Sequence, residues 1–327
     1  MCSTPAAPDR KRALVTGGTG FVGSNLVRRL LQDGHVVGLL VRKGHDPWRL
    51  ADVSGRVQWI EADLEEGTGL RAVVAEFRPQ WVFHLAAHGA YSWQNDRVAI
   101  LKVNVLGTAN LLDACLAIGF EAFVNTGSSS EYGFKDHPPR EDEPLAPTSA
   151  YAVAKAAATL YCAQAARASD APVATLRLYS AYGPWEEPKR FIPQLVARGL
   201  EGLLPPLASP ETARDYVYIS DVCDAYVRAA RTKHEPGAIY NVGTGVQTTL
   251  RQAVEHARRV LGIAVEPRWG SMPDRGWDTT IWVADSSRLK ERLGWRSEID
   301  LDQGLQRTAD WLAGSPFLKT RYLAASS

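Results

Sequence analysis

From residue 13 onward, short apolar runs alternate with longer stretches in which apolar residues recur every three to four positions. The runs at 13–16, 36–41, 57–62, 81–85, 120–126, 173–179 and 239–242 are rich in β-branched and aromatic residues and read as strands. Between the first two, residues 21–32 carry Val22, Leu26, Val27, Leu30 and Leu31 on one stripe, which predicts an amphipathic helix closed by Gly34. Two more helices are predicted, over 101–118 and through the alanine-rich stretch around Tyr151. Strand and helix in regular alternation predict an α/β fold with a doubly wound parallel sheet, covered by helices on both faces. Beyond Ser180 the rhythm loosens: Pro184, Pro188, Pro193, Pro205, Pro206 and Pro210 divide the chain into loops and short elements. A smaller mixed α/β lobe is therefore expected at 181–213 and 246–315, with 11–180 plus about 214–245 forming the sheet domain and 1–10 and 324–327 frayed.

Composition narrows the functional class. The chain has 327 residues, 45 % hydrophobic and 22 % charged, as expected of a folded globular protein rather than a disordered or fibrous one. Its formal net charge of +1 lacks the basic surface that drives nucleic-acid binding. No apolar run reads as the roughly 20 residues needed to cross a bilayer, and the first dozen residues lack the order of a secretion signal, so a cytoplasmic protein is expected. Cys2, Cys115, Cys162 and Cys223 are far apart and form no C-x-x-C pair, which predicts reduced thiols.

Directly after the first strand comes Thr16-Gly17-Gly18-Thr19-Gly20-Phe21-Val22-Gly23, opening into the first helix. In that context Gly17 serves a tight turn, Gly20 lets the backbone approach a pyrophosphate and Gly23 lets helix and strand pack closely, while the helix N-terminus favours an anion. This predicts a Rossmann-type dinucleotide site, with Phe21 and Val22 beside the phosphates. The second strand ends Leu40-Val41-Arg42-Lys43, with two cations and no carboxylate to take a ribose 2′-hydroxyl, so NADP(H) is expected over NAD(H). The alternative for Arg42 and Lys43 is a merely solvated strand end.

Further along stands Tyr151-Ala152-Val153-Ala154-Lys155, and a four-residue step places both functional side chains on one helix face. A nearby ammonium stabilises phenolate over phenol, so Tyr151 could exchange a proton with a substrate hydroxyl. Alone, the pair is more often an amphipathic contact. A glycine loop, then a serine cluster after a strand, then Tyr-x-x-x-Lys, is more specific. Further landmarks are Asp63-Leu64, His84-Leu85-Ala86-Ala87, Asn104 with Gly107-Thr108, Leu176-Arg177-Leu178-Tyr179 before Tyr182-Gly183-Pro184, Arg214 to Val222, Asn241-Val242-Gly243 and Leu293-Gly294-Trp295.

Together these features resemble the extended short-chain dehydrogenase/reductase superfamily, in its NAD(P)-dependent nucleotide-sugar epimerase/dehydratase branch, from Ala13 to about Leu312. The resemblance implies that Ser128 hydrogen-bonds the reacting sugar hydroxyl, with Ser129 or Ser130 as alternatives, and that Tyr151 and Lys155 carry the proton chemistry. It implies that Asp63 and Leu64 flank the adenine, that Ala86 and Ala87 wall the cofactor, and that Asn104, Tyr179 and Lys155 also belong to the cofactor site. His88, Ser180, Arg190, Phe191, Ile192, Pro193, Arg214 and Arg275 fall at substrate positions. A homodimer through two helices from each subunit, and a nucleotide-diphosphate sugar as substrate, follow from the same resemblance.

Two departures bear on the reaction. Dehydratases of this branch commonly place Thr-Asp-Glu or Thr-Ser-Glu before Tyr-Gly; here the segment is Ser128-Ser129-Ser130-Glu131-Tyr132-Gly133, so the base position falls on Ser130 and Glu131 stands one residue out of register. A one-residue deletion would bring Glu131 into place. Many relatives also carry Asn where Ser180 stands. The reading is thus an oxidoreductase or isomerase exchanging a hydride at sugar C4, as epimerase or 4-ketoreductase. The alternatives are a 4,6-dehydratase or decarboxylase with Glu131 as base, and a non-catalytic cofactor-sensing protein. His84 and His88 lie at a strand end and lack a third ligand at metal-site spacing.

Overall fold

The computed structural model describes residues 10–272 and 279–325. In chain order the regular elements are β1 (Arg12–Thr16), α1 (Phe21–Gln32), β2 (Val36–Val41), β3 (Gln58–Glu61), α2 (Gly67–Phe77), β4 (Trp81–His84), α3 (Arg97–Leu101), a π turn (Lys102–Leu106), α4 (Gly107–Leu116), β5 (Ala122–Ser128), α5 (Ala150–Ser169) and β6 (Val173–Leu178). They continue with β7 (Ser180–Tyr182), α6 (Phe191–Gly199), β8 (Ala213–Arg214), β9 (Tyr216–Tyr218), α7 (Ile219–Arg231), β10 (Ala238–Val242), β11 (Thr248–Thr249), α8 (Leu250–Leu261), α9 (Ser287–Leu293), α10 (Leu301–Ala313) and α11 (Pro316–Ala324).

The chain divides into two compact units, the first made of Met1–Gly127, Ser149–Leu176 and Tyr226–Ile239, the second of Ser128–Thr148, Arg177–Ala225 and Tyr240–Ser327. The first unit is built on a seven-stranded sheet in the order β10-β6-β5-β4-β1-β2-β3. Its pairs β1 with β2, β2 with β3, β1 with β4 and β4 with β5 are all parallel. Burial on both faces explains why β1, β2, β4, β5 and β6 read as apolar runs, while the edge strand β3 is half exposed. Helix α1 begins where the apolar stripe predicts. It ends through Asp33, and Gly34 follows at φ +84°, a conformation that costs glycine little.

The order reverses at β1, between β2 and β4, which opens a crevice at the carboxyl ends of β1 and β4. Its registry is locked by directed hydrogen bonds. The Thr108 hydroxyl donates to the Asn104 carbonyl at 2.7 Å, so the His84 Nε2–H donates to Thr108 Oγ at 2.8 Å. His84 Nδ1 then accepts from the Thr16 hydroxyl at 2.7 Å, and Thr16 Oγ accepts the Ala86 N–H at 3.2 Å. Burial, reinforced by the charge of Lys155, lowers the His84 pKa to about 3, so the ring is neutral.

The helix expected over 101–118 is longer and less regular. It starts at Arg97, capped by Asp96 through the Val98 and Ala99 N–H groups, and passes through the π turn, where the Gly107 N–H reaches back to the Lys102 carbonyl. As one run, Arg97–Leu116 is long and apolar enough to span a membrane by length and composition, whereas the sequence pattern starts this helix only at 101 and predicts no run of that length. Ile100, Leu111, Leu112 and Cys115 are buried, and α4 packs on α2 and α5, as a core helix does.

The second unit contains two small sheets, β7 parallel to β9 and β8 antiparallel to β11. Two buried carboxylates organise it. Asp215 accepts the N–H groups of Thr244, Gly245 and Ala284 and the Thr244 hydroxyl. Asp221 accepts the Ser297 hydroxyl and the N–H groups of Glu298 and Ile299. Cys115, Cys162 and Cys223 are buried thiols outside any disulfide among the described residues.

Candidate active site

In the first unit the glycine loop closes against β4. Gly17 adopts φ +67°, and a Cβ on it would stand 2.5 Å from the Ala86 nitrogen; on Gly23 a Cβ would meet the Gly17 carbonyl oxygen at 2.2 Å. Neither position admits a side chain. Gly20 is the N-cap of α1 and offers no side chain to the first N–H groups, which therefore face the crevice as donors. That donor set and glycine cradle fit a dinucleotide pyrophosphate, with Phe21 and Val22 in the first turn of α1. Arg42 and Lys43 follow β2 and are exposed. The Asp63 carboxylate takes the Glu65 N–H at 2.9 Å and shapes its own turn. Leu64 is 8 % exposed and packs where Gly107 has no side chain.

Asn104 lies at the π turn and is buried, with its amide spent on His88: the His88 N–H donates to Oδ1 at 2.8 Å and Nδ2 donates to the His88 carbonyl at 2.7 Å. Asn104 thus shapes the segment after Ala86 and Ala87 by its backbone. A π turn at such a position is a device found often at functional sites. Tyr151 and Lys155 sit in the first two turns of α5, whose N-terminus is capped by Ser149 accepting the Ala152 N–H at 3.1 Å. Lys155 is 3 % exposed and Tyr151 is half-buried.

In the second unit Ser128 ends β5 and caps the turn Ser129–Tyr132. Its N–H donates to Glu131 Oε1 at 2.8 Å, and its Oγ lies 2.8 Å from Ser130 Oγ and accepts the Ser130 N–H at 3.2 Å. Ser129 is buried. Glu131 is fully buried, and its Oε2 accepts from Arg177 Nε at 2.8 Å. Arg177, 1 % exposed, also donates to the Tyr132 hydroxyl at 2.7 Å and to the Glu141 carbonyl at 3.1 Å. Tyr132 donates onward to Asn241 Oδ1 at 2.7 Å. Beyond the Ser128-x-x-Glu131 capping box, no local sequence feature announces this network, because the partners it joins are 36 to 109 residues apart.

The remaining candidates are spread through the second unit. The Tyr179 ring meets Trp282 edge to face and helps line a small cavity with Ser129, Tyr132, Lys135 and His137. The Ser180 N–H donates to the Asp215 carbonyl at 3.0 Å. Arg190 stands at the N-cap position of α6 and pairs with Glu186 at 3.5 Å, ahead of Phe191 and the buried Ile192 and Pro193. The Arg214 guanidinium stands 5.7 Å from the Trp282 ring centre. Arg275 lies outside the described residues.

A parallel sheet with a glycine cradle at its reversal point and a Tyr-x-x-x-Lys helix defines an enzyme of the extended short-chain dehydrogenase/reductase type. Residues 13–243 match the NAD dependent epimerase/dehydratase family, and the chain belongs to that family. It is 34 % identical to the UDP-glucose 4-epimerase of Mycolicibacterium smegmatis, over 92 % of this chain and 98 % of the relative. It is 30 % identical to the dTDP-glucose 4,6-dehydratase of Streptomyces griseus, over 91 % and 93 %. Among solved structures, the Thermus thermophilus UDP-glucose 4-epimerase complex with NAD superposes with a TM-score of 0.82 at 31 % identity, covering 93 % of this chain and 99 % of that one.

Proposed function

We propose that this enzyme acts on a nucleotide-diphosphate sugar, exchanging hydrogen at sugar C4 as an epimerase or 4-ketoreductase. The observation that carries the reading is the Tyr151–Lys155 pair, one turn apart on α5 with the lysine buried. An ammonium there favours the phenolate of Tyr151 and lets it accept the C4 hydroxyl proton. Ser128 holds the same hydroxyl, and binding energy from the nucleotide handle, through Arg190, Phe191 and Arg214, orients the sugar. When bound, the nicotinamide supplies the hydride acceptor and donor.

Gly17, Gly20, Gly23, the N-terminus of α1 and Lys155 would hold the dinucleotide. Arg42 and Lys43 support NADP(H), since guanidinium recognises phosphate in a bidentate manner; the Thermus thermophilus structure holds NAD. Elimination, as in the Streptomyces griseus relative, is disfavoured here because both oxygens of Glu131 are engaged and buried. The test is turnover of UDP-glucose and dTDP-glucose by the wild type and Tyr151→Phe. The variant should lose about 10²- to 10⁴-fold in kcat with little change in KM; unchanged kcat refutes the assignment.

A further inference from the structure

We propose that Glu131 and Arg177 are positioning residues for Ser128, a buried ion pair that sets the serine hydroxyl at the end of β5 and takes no proton itself. The proposal rests on the reading of Ser128 as a partner of the reacting hydroxyl.

Ser128 is held at two points. Its N–H is fixed by Glu131 Oε1 at 2.8 Å, and its Oγ is fixed from the other side by the Ser130 N–H at 3.2 Å. With an amide donated into one lone pair, the hydroxyl keeps its proton and its other lone pair for Ser130 or for a ligand. The carboxylate that makes the first contact is held in turn by Arg177 Nε at 2.8 Å. Arg177 cannot swing away. Its other contacts are the Tyr132 hydroxyl at 2.7 Å and the Glu141 carbonyl at 3.1 Å, and its guanidinium lies over the Tyr132 ring at 4.6 Å from the centre.

The far end is equally closed. Asn241 accepts from Tyr132, donates its N–H to Glu141 Oε1 at 2.9 Å, and donates its side-chain amide to the carbonyls of Pro139 and Asp285 at 2.9 and 3.1 Å. A fully satisfied buried network is stiff, and removing one charge leaves the other unpaired. A general base needs an oxygen within reach of the proton it takes. Both Glu131 oxygens are buried and each already accepts a hydrogen bond, whereas a rigid hydroxyl at Ser128 requires the engagement that is seen.

A double-mutant cycle tests this in the full-length enzyme with UDP-glucose and dTDP-glucose as probes. Ser128→Ala should lower kcat about 100-fold, Glu131→Gln about 10-fold with KM within twofold, and Glu131→Gln added to Ser128→Ala less than twofold more. Because Glu131→Gln leaves Arg177 unpaired and can impair folding, the paired variant Glu131→Leu/Arg177→Met removes both charges at once. It should recover the wild-type melting temperature to a greater extent than Glu131→Gln does, yet keep a kcat loss of at least 10-fold. If Ser128→Ala turns over at the wild-type rate, the role of Ser128 fails. If Ser128→Ala is impaired but Glu131→Gln costs the same factor in both backgrounds, or if the paired variant regains wild-type kcat, the positioning role fails.

Discussion

At His84 the direction of each hydrogen bond is fixed, and with it a pH dependence. The ring is neutral in the folded protein, with a pKa near 3, and ordinary when unfolded. Above pH 6.5 neither state binds the proton and stability is unaffected. As pH falls below 6.5 only the unfolded state takes it up, so stability declines until the folded pKa is reached. Between pH 7 and pH 4 this one group should cost about 3 kcal/mol. His84→Asn should remove that part of the slope in urea melts at the two pH values; an unchanged slope would show that the ring is not buried neutral. Arg42 makes a second residue-scale prediction. Arg42→Asp should weaken NADP(H) at least 10-fold more than NAD(H) in a fluorescence titration, and equal losses would sink the preference. Tyr151, Lys155 and the glycines could be recognised because their chemistry is carried by spacing along the chain. The engagement of Glu131 could not, since its partner Arg177 is 46 residues away.

Helices α3, α4 and α5 show how far periodicity reaches. The apolar stripe over 101–118 was legible, and α5 runs through Tyr151 as expected, whereas α3 begins at Arg97, ahead of the predicted helix. The π turn was not, because one residue wider per turn leaves no mark on a 3.6-residue pattern. These helices also leave Val98, Leu101, Leu106, Val153 and Leu160 exposed, between 45 and 61 %, and α3 packs on α5. We propose these exposed apolar residues as the contact surface of the homodimer that the family resemblance implies. Leu160→Glu combined with Leu101→Glu should convert a dimer into a monomer in sedimentation velocity at micromolar concentration. A wild-type monomer under the same conditions would contradict the proposal.

Over the whole molecule, the alternation of apolar runs and helical stretches was enough for the sheet of the first unit. The second unit was harder to read. Its sheets pair strands of two or three residues, too short for a period to register, and its order depends on Asp215 and Asp221 gathering backbone N–H groups from segments 29 to 78 residues away. On the proposed function, the fold serves a single chemical event, the removal and return of hydrogen at C4 of a sugar. The most direct test supplies UDP-glucose and dTDP-glucose carrying deuterium at C4 and follows the product by mass and NMR. The account predicts a C4 epimer of unchanged mass with deuterium still on C4, or reduction of the matching 4-keto sugar at the expense of the reduced cofactor, and loss of both in Tyr151→Phe. A product lighter by one water, with the deuterium moved from C4, would contradict it.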